Sequence, residues 1–178
     1  AYNAMPKSDP RAIILFIIDD TLIEKLGQMF QYSERLFDHS SKNGCHYLNG
    51  HCFVSIVMVV PMLYDGRMIY VPIQLSLRMW KKGATPQETA SKLEIAAELI
   101  QKVLSYLPSD QKVIILCDAW YTKGIICDLI KMPNVEIIGA INSNTACYGI
   151  PSPRLSDEKG QPRKHGNKIN IAGLTYYD

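Results

Sequence analysis

The sequence predicts an α/β domain, a mixed five-stranded sheet with flanking helices that runs into a basic segment, and three observations carry that expectation. Apolar runs of strand length lie at Ala12–Ile18 (AIILFII) and Lys112–Cys117 (KVIILC), the unbroken pattern of strands covered on both faces. Phe53–Pro61 and Arg67–Leu77 flank Tyr64, Asp65 and Gly66, and Asp-Gly between two apolar runs marks a hairpin. Helical patterns then alternate with strands, which implies right-handed crossovers and a parallel part to the sheet.

The elements follow in order. The first strand, Ala12–Ile18, ends on Asp19, Asp20 and Thr21, and the polar stretch from there to Gly50 reads mostly as loop. A connection of that length inside a compact domain is usually functional. The hairpin supplies the second and third strands, and Pro72 assigns the third to an edge, because proline cannot donate to a ladder. Thr85, Pro86, Gln87 and Glu88 read as a helix start, with a capping threonine, proline at the first position and glutamate three residues after the cap. Leu93, Ala96, Ala97, Ile100, Val103, Leu104 and Leu107 then form one apolar face that stops at Pro108. Lys112–Cys117 is the fourth strand, Thr122–Lys131 a short helix before Pro133, and Val135–Ile141 the fifth strand. Beyond Asn142 the apolar pattern gives way to proline, glycine and basic residues through Asn170.

Composition bounds the function classes. A chain of 178 residues, 47% hydrophobic and 20% charged, suits one globular domain with its own core. The net charge of +2 gives no general licence for nucleic-acid binding, so any such role rests on local placement. Five cysteines without regular spacing read as reduced thiols of a cytoplasmic protein. The longest apolar run, Cys52–Leu63, is well short of the ~20 residues that span a bilayer. Both ends read as cut from something longer, since the chain opens on Ala1 and stops at Asp178 within a strand-like run. There is no phosphate-binding glycine loop, no nucleophile elbow and no dinucleotide fingerprint, which disfavours nucleotide cofactors and acyl transfer.

Two buried strands each deliver aspartate at their carboxyl end, Asp19-Asp20 and Asp118. Open α/β sheets place their sites beyond those ends. Carboxylates on neighbouring strands can share hard cations such as Mg²⁺, and two ions ~3.5–4 Å apart clamp the attacking and leaving oxygens of a phosphodiester. A strand-end aspartate also simply opens a turn, so spacing alone leaves both readings standing.

The segments IIDDT (Ile17–Thr21) and LCDAWYTKG (Leu116–Gly124), with HSSKNGCHYLNGHCFVS between them and KGQPRKHG after them, resemble the DDE transposases of insertion sequences. The likeness runs from about Arg11 onward and implies a ribonuclease-H-like fold. It implies that Asp20 and Asp118 are the catalytic, metal-binding acids, with two Mg²⁺ (or Mn²⁺) ions as cofactor. It implies transposon-end and target DNA as partners, a homodimer on paired ends, and work at the nucleoid. Residues 11–141 would then be the core of a partial catalytic domain, and 142–178 the start of a basic insertion. The third acid of that family is a glutamate on a later helix, and neither Glu136 nor Glu158 matches its position.

Arg154, Arg163, Lys164 and Lys168, with Lys159, outnumber Asp157 and Glu158 in the basic loop, and the resemblance turns a solvated loop into a candidate DNA contact. Trp120 and Lys123 follow Asp118 and could hold a base by stacking and charge, although aromatic residues at such junctions often pack the core. Cys45-His46 and His51-Cys52 imitate a zinc site, but adjacent ligands are geometrically awkward. Two rival readings remain. One is an aspartyl-nucleophile phosphohydrolase, which usually separates its two aspartates by one residue; the other is a decayed product that at most binds DNA.

Overall fold

The structure, a computed structural model, describes residues 13–27, 29–38, 46–83, 85, 89–142, 144–153, 160–161 and 163–170. Ala12 and Lys42, Asn43, Arg154, Glu158 and Lys159 lie outside them. The chain divides into two compact units, residues 1–140 and 141–178.

The first unit is built on a six-stranded mixed sheet. Its strands are β1 (Ile14–Glu24), β2 (Glu34–Phe37), β3 (Tyr47–Tyr64), β4 (Arg67–Trp80), β5 (Val113–Cys117) and β6 (Val135–Gly139), with helices α1 (Lys92–Leu104) and α2 (Gly124–Asp128) and a 3₁₀ turn at Leu129–Lys131. The order is β2-β3-β1-β5-β6, with β4 also on β3. β1, β3 and β4 run antiparallel, whereas β5 and β6 lie parallel to β1 and to each other. This is the mixed arrangement expected of a ribonuclease-H-like sheet, with β2 added beside β3. The β3–β4 turn takes positive φ at Asp65 (47°) and Gly66 (70°), the paired left-handed geometry that Asp-Gly supplies. Pro72 lies on β4, which pairs with β3 alone, so its missing N–H breaks no central ladder.

Alternation divides each strand between two faces. On one, Ile14, Phe16 and Ile18 of β1, Val54, Ile56 and Met58 of β3, and Val113 and Ile115 of β5 are fully buried with Ile95, Ala96, Leu99 and Ile100 of α1 and Ile126 of α2. On the other, Leu15, Ile17, Val57, Val59, Ile114 and Leu116 are only half-buried.

Several boundaries differ from the sequence expectation. β1 runs through Asp19 and Asp20 to Glu24, because β3 pairs with it as far as Gly50, while β5 leaves it after Ile18 and Cys117. The stretch read as loop contains β2 and the start of β3; a four-residue strand is too short to show a period. α1 is capped by Ser91 rather than Thr85: Ser91 Oγ accepts from the amide of Glu94, and the Glu94 carboxylate accepts from the amide of Ser91. Both positions begin the same Ser/Thr-x-x-Glu pattern, and the one adjoining the apolar face closes the capping box. α1 ends at Leu104, α2 starts at Gly124 rather than Thr122, and β6 stops at Gly139 rather than Ile141.

In the second unit β7 (Cys147–Tyr148) pairs with β8 (Lys168–Ile169), and Tyr148 stacks on His165 at 5.2 Å between ring centroids.

Candidate active site at the strand ends

Where β5 parts from β1, three carboxylates follow the last paired residues. Ile18 lies opposite Cys117, so Asp19 and Asp118 are each the next residue along, and Asp20 is one step further. Asp20 shares the core face with Ile18, and Asp19 lies on the opposite face, as alternation requires.

Asp20 is the better anchored. Its Oδ2 accepts from Lys92 Nζ at 2.5 Å and from Cys52 Sγ at 3.2 Å, and its Oδ1 accepts from Tyr121 Oη at 3.4 Å. Lys92 reaches it from the first turn of α1, and Cys52 from β3 on the same face. Burial alone would lower the Lys92 pKa, but the hydrogen bond and charge of Asp20 outweigh it and hold the ammonium above its ordinary value. Burial pushes the Cys52 thiol up to about 11, so it stays a neutral donor. Burial also raises the Tyr121 pKa, aided by the charges of Asp20 and Asp19.

Asp118 ends β5 and turns the chain. Its Oδ1 accepts from the amides of Trp120 (2.9 Å) and Tyr121 (3.0 Å), and its carbonyl accepts from the Thr122 hydroxyl (2.7 Å). Gly139 of β6 passes close behind: a methyl there would sit 2.1 Å from Thr122 Oγ1 and 3.1 Å from the Cys117 carbonyl. Glycine permits that approach.

Tyr121 joins the two acids sequence reasoning singled out, with its amide on Asp118 and its hydroxyl on Asp20. Asp19 is electrostatically coupled to the same group. Burial raises its pKa first, its hydrogen bond from the Asp20 amide opposes that, and the charges of Asp20 and Asp118 raise it further.

Of the remaining sequence candidates, Trp120 is 40% exposed and carries two cations, Lys123 Nζ at 4.5 Å and Lys92 Nζ at 5.6 Å from its ring. Arg163, Lys164 and Lys168 are exposed in the second unit, and Arg154 lies outside the described residues. Sequence reasoning missed Lys92, the Asp20 partner. The signal was available in Ser91-x-x-Glu94, which puts Lys92 at the first position of α1. Among the described residues no group of three or more His, Cys, Asp or Glu is arranged to hold a metal ion, and no helix is long and apolar enough to cross a membrane.

Comparison with known proteins gives three findings. No curated protein matches the sequence. Among solved structures, the chain is similar to a piggyBac transposase synaptic complex with hairpin DNA, with 21% identity, a TM-score of 0.39, and coverage of 74% of this chain and 23% of that one. It is also similar to a Mos1 strand transfer complex, with 13% identity, a TM-score of 0.32, and coverage of 71% and 34%. The chain thus spans about a quarter to a third of the length of those proteins. Residues 3–173 match the family described as DDE superfamily endonuclease, and since that match takes in nearly the whole sequence, the chain belongs to the DDE superfamily endonucleases.

Proposed function

We propose that this chain carries the catalytic acids of a transposase that cleaves DNA and transfers the cut strand, with Asp20 and Asp118 as metal-binding residues. The observation that supports this most is Tyr121, whose amide and hydroxyl meet both carboxylates and tie them across the parting of β1 and β5. Endonucleases of this superfamily generally use divalent metals. The donors suit a hard cation: all are carboxylate oxygens. Burial raises the Asp19 pKa first, and the charges of Asp20 and Asp118 add to it, a repulsion a cation would relieve. Two bound Mg²⁺ or Mn²⁺ ions would supply an activated oxygen nucleophile and neutralise charge on the phosphodiester.

The chain's own residues have distinct tasks in this reading. The Trp120 and Tyr121 amides fix the Asp118 carboxylate and leave its second oxygen for a cation. Lys92 orients Asp20, and its ammonium occupies an oxygen a cation would use. Arg154, Arg163, Lys164 and Lys168 would contact the DNA backbone of transposon ends and target, and Trp120 and Lys123 would hold a base or strand end, in a homodimer acting at the cytoplasmic nucleoid.

A second assignment of the acids has an observation of its own. Asp19 follows Ile18 as Asp118 follows Cys117, and it feels the Asp118 charge. In that version Asp19 and Asp118 bind the ions, and Asp20 is the buried anchor for Lys92. A third reading is a decayed or truncated product that at most binds DNA, since neither Glu136 nor Glu158 matches the third acid of the family.

Strand cleavage by the complete protein with Mg²⁺ tests these readings. Asp118→Asn abolishes cleavage in the first two, and comparison of Asp19→Asn with Asp20→Asn separates them. Cleavage unchanged by Asp118→Asn overturns both, and no cleavage by the intact protein leaves the third.

A further inference from the structure

A groove of about 660 Å³ opens beside Lys92, the lysine that donates to Asp20, and its walls come from three separate parts of the first unit. Arg35 and Leu36 of β2 form one side, Trp80 at the end of β4 and Lys82 beyond it form the other, and Lys92 and Trp120 close the end toward the acid. The volume lies within the ~300–1,000 Å³ of small-molecule sites. Its lining includes two indoles, three cationic side chains and the acid Glu34, together with Leu36, Gly83 and three hydroxyl residues; of the cations, Lys92 is bonded to Asp20 and Arg35 lies over the Tyr47 ring. Beyond β4 the Gly83 amide donates to Thr89 Oγ1 at 2.8 Å, and that hydroxyl donates to the Thr85 carbonyl at 3.1 Å.

Indole rings with basic side chains are what a nucleotide needs: the base stacks on the aromatic surface and the cations meet its phosphate. We propose that this groove holds one unpaired nucleotide of the DNA strand whose neighbouring phosphate lies at the acids. The proposal rests on the DNA-cleaving reading above and adds Trp80, Lys82 and Arg35 to it. A groove continuous with Asp20 through Lys92 would fix which phosphate reaches the acids, because the nucleotide beside it is held.

The test is metal-free binding, so that it does not depend on cleavage. The full chain in EDTA is titrated against a fluorescein-labelled ten-nucleotide single strand, a blunt duplex of the same sequence, and free deoxyadenosine monophosphate as competitor. Stacking is worth ~1–3 kcal/mol per base, or roughly 5- to 150-fold. Trp120→Ala is therefore expected to weaken single-strand binding at least 5-fold, and Lys82→Gln to weaken it and lower its salt slope by about one. Blunt-duplex binding is expected to change less than twofold in both. Trp80 packs against the core, so its replacement by alanine mixes folding with binding, and the exposed Lys82 and Trp120 carry the result. Unchanged single-strand affinity overturns the proposal, as does equal weakening of the duplex. Competition by the mononucleotide at the oligonucleotide's own affinity also overturns it, by showing a free-nucleotide site. Loss of cleavage in Asp118→Asn with single-strand binding insensitive to Lys82→Gln would sink the groove alone; groove-dependent binding without cleavage by the intact protein would sink the transposase reading alone.

Discussion

Lys92 Nζ lies 2.5 Å from Asp20 Oδ2, and the two side chains are only 24% and 20% exposed. A lysine in the first turn of a helix opposes the helix dipole, an arrangement that costs roughly 0.3–1 kcal/mol without compensation. The Asp20 carboxylate supplies the compensation, and removing either partner strands the other in a largely desolvated place.

Lys92→Met is accordingly expected to destabilise the protein by about 1–2 kcal/mol, less than for a fully buried pair because water still reaches both groups. Chemical denaturation of Lys92→Met, Asp20→Asn and the double variant measures it. The double variant should lose less than the sum of the singles, and strict additivity would show that the pair contributes nothing.

Asp19 gives the opposite sign. Its folded-state pKa is raised, chiefly by burial and then by the charges of Asp20 and Asp118, so its ionised form is penalised in the fold. The penalty is fully present above the folded pKa and disappears below the ordinary carboxylate value, near pH 3.8. Because the side chain reaches solvent, a few tenths of a kcal/mol is the expected size. Asp19→Asn should raise the melting temperature of metal-free protein slightly at pH 7, with the gain vanishing as pH falls toward 4. A loss of stability at pH 7 would contradict the shared negative field.

Cys52 is fully buried, donates to Asp20, and has its pKa pushed up to about 11. At pH 8 only about 0.1% would be thiolate, the reactive form. Mass mapping after brief iodoacetamide treatment of the native protein should find Cys52 unmodified, while the half-buried Cys147 reacts. Early alkylation at Cys52 would mean that the Asp20 surroundings are open.

Much of this fold was legible from patterns long enough to repeat. The unbroken apolar runs gave β1 and β5, Asp-Gly gave the hairpin, and the face from Leu93 to Leu104 gave α1. The length of β1 was not legible, because its last six residues are held by β3 alone and one face there is polar, so Asp19-Asp20 imitated a strand end. The wrong capping residue had a physical cause too: Thr85 and Ser91 head the same capping pattern, and only three-dimensional packing chooses between them. In the site, Asp20 and Asp118 were readable as acids following apolar strands. That Lys92 and Cys52 reach Asp20 was not, since they come from 72 and 32 positions away in the chain, nor was the groove, which gathers residues from β2, β4 and α1.

The central claim, that the acids at the parting of β1 and β5 bind divalent cations, is tested most directly by calorimetric titration of Mn²⁺ into the metal-free protein and its Asp118→Asn variant. The account predicts saturable binding that weakens at least tenfold on Asp118→Asn, with circular dichroism unchanged. Equal Mn²⁺ affinity in the two proteins would contradict it.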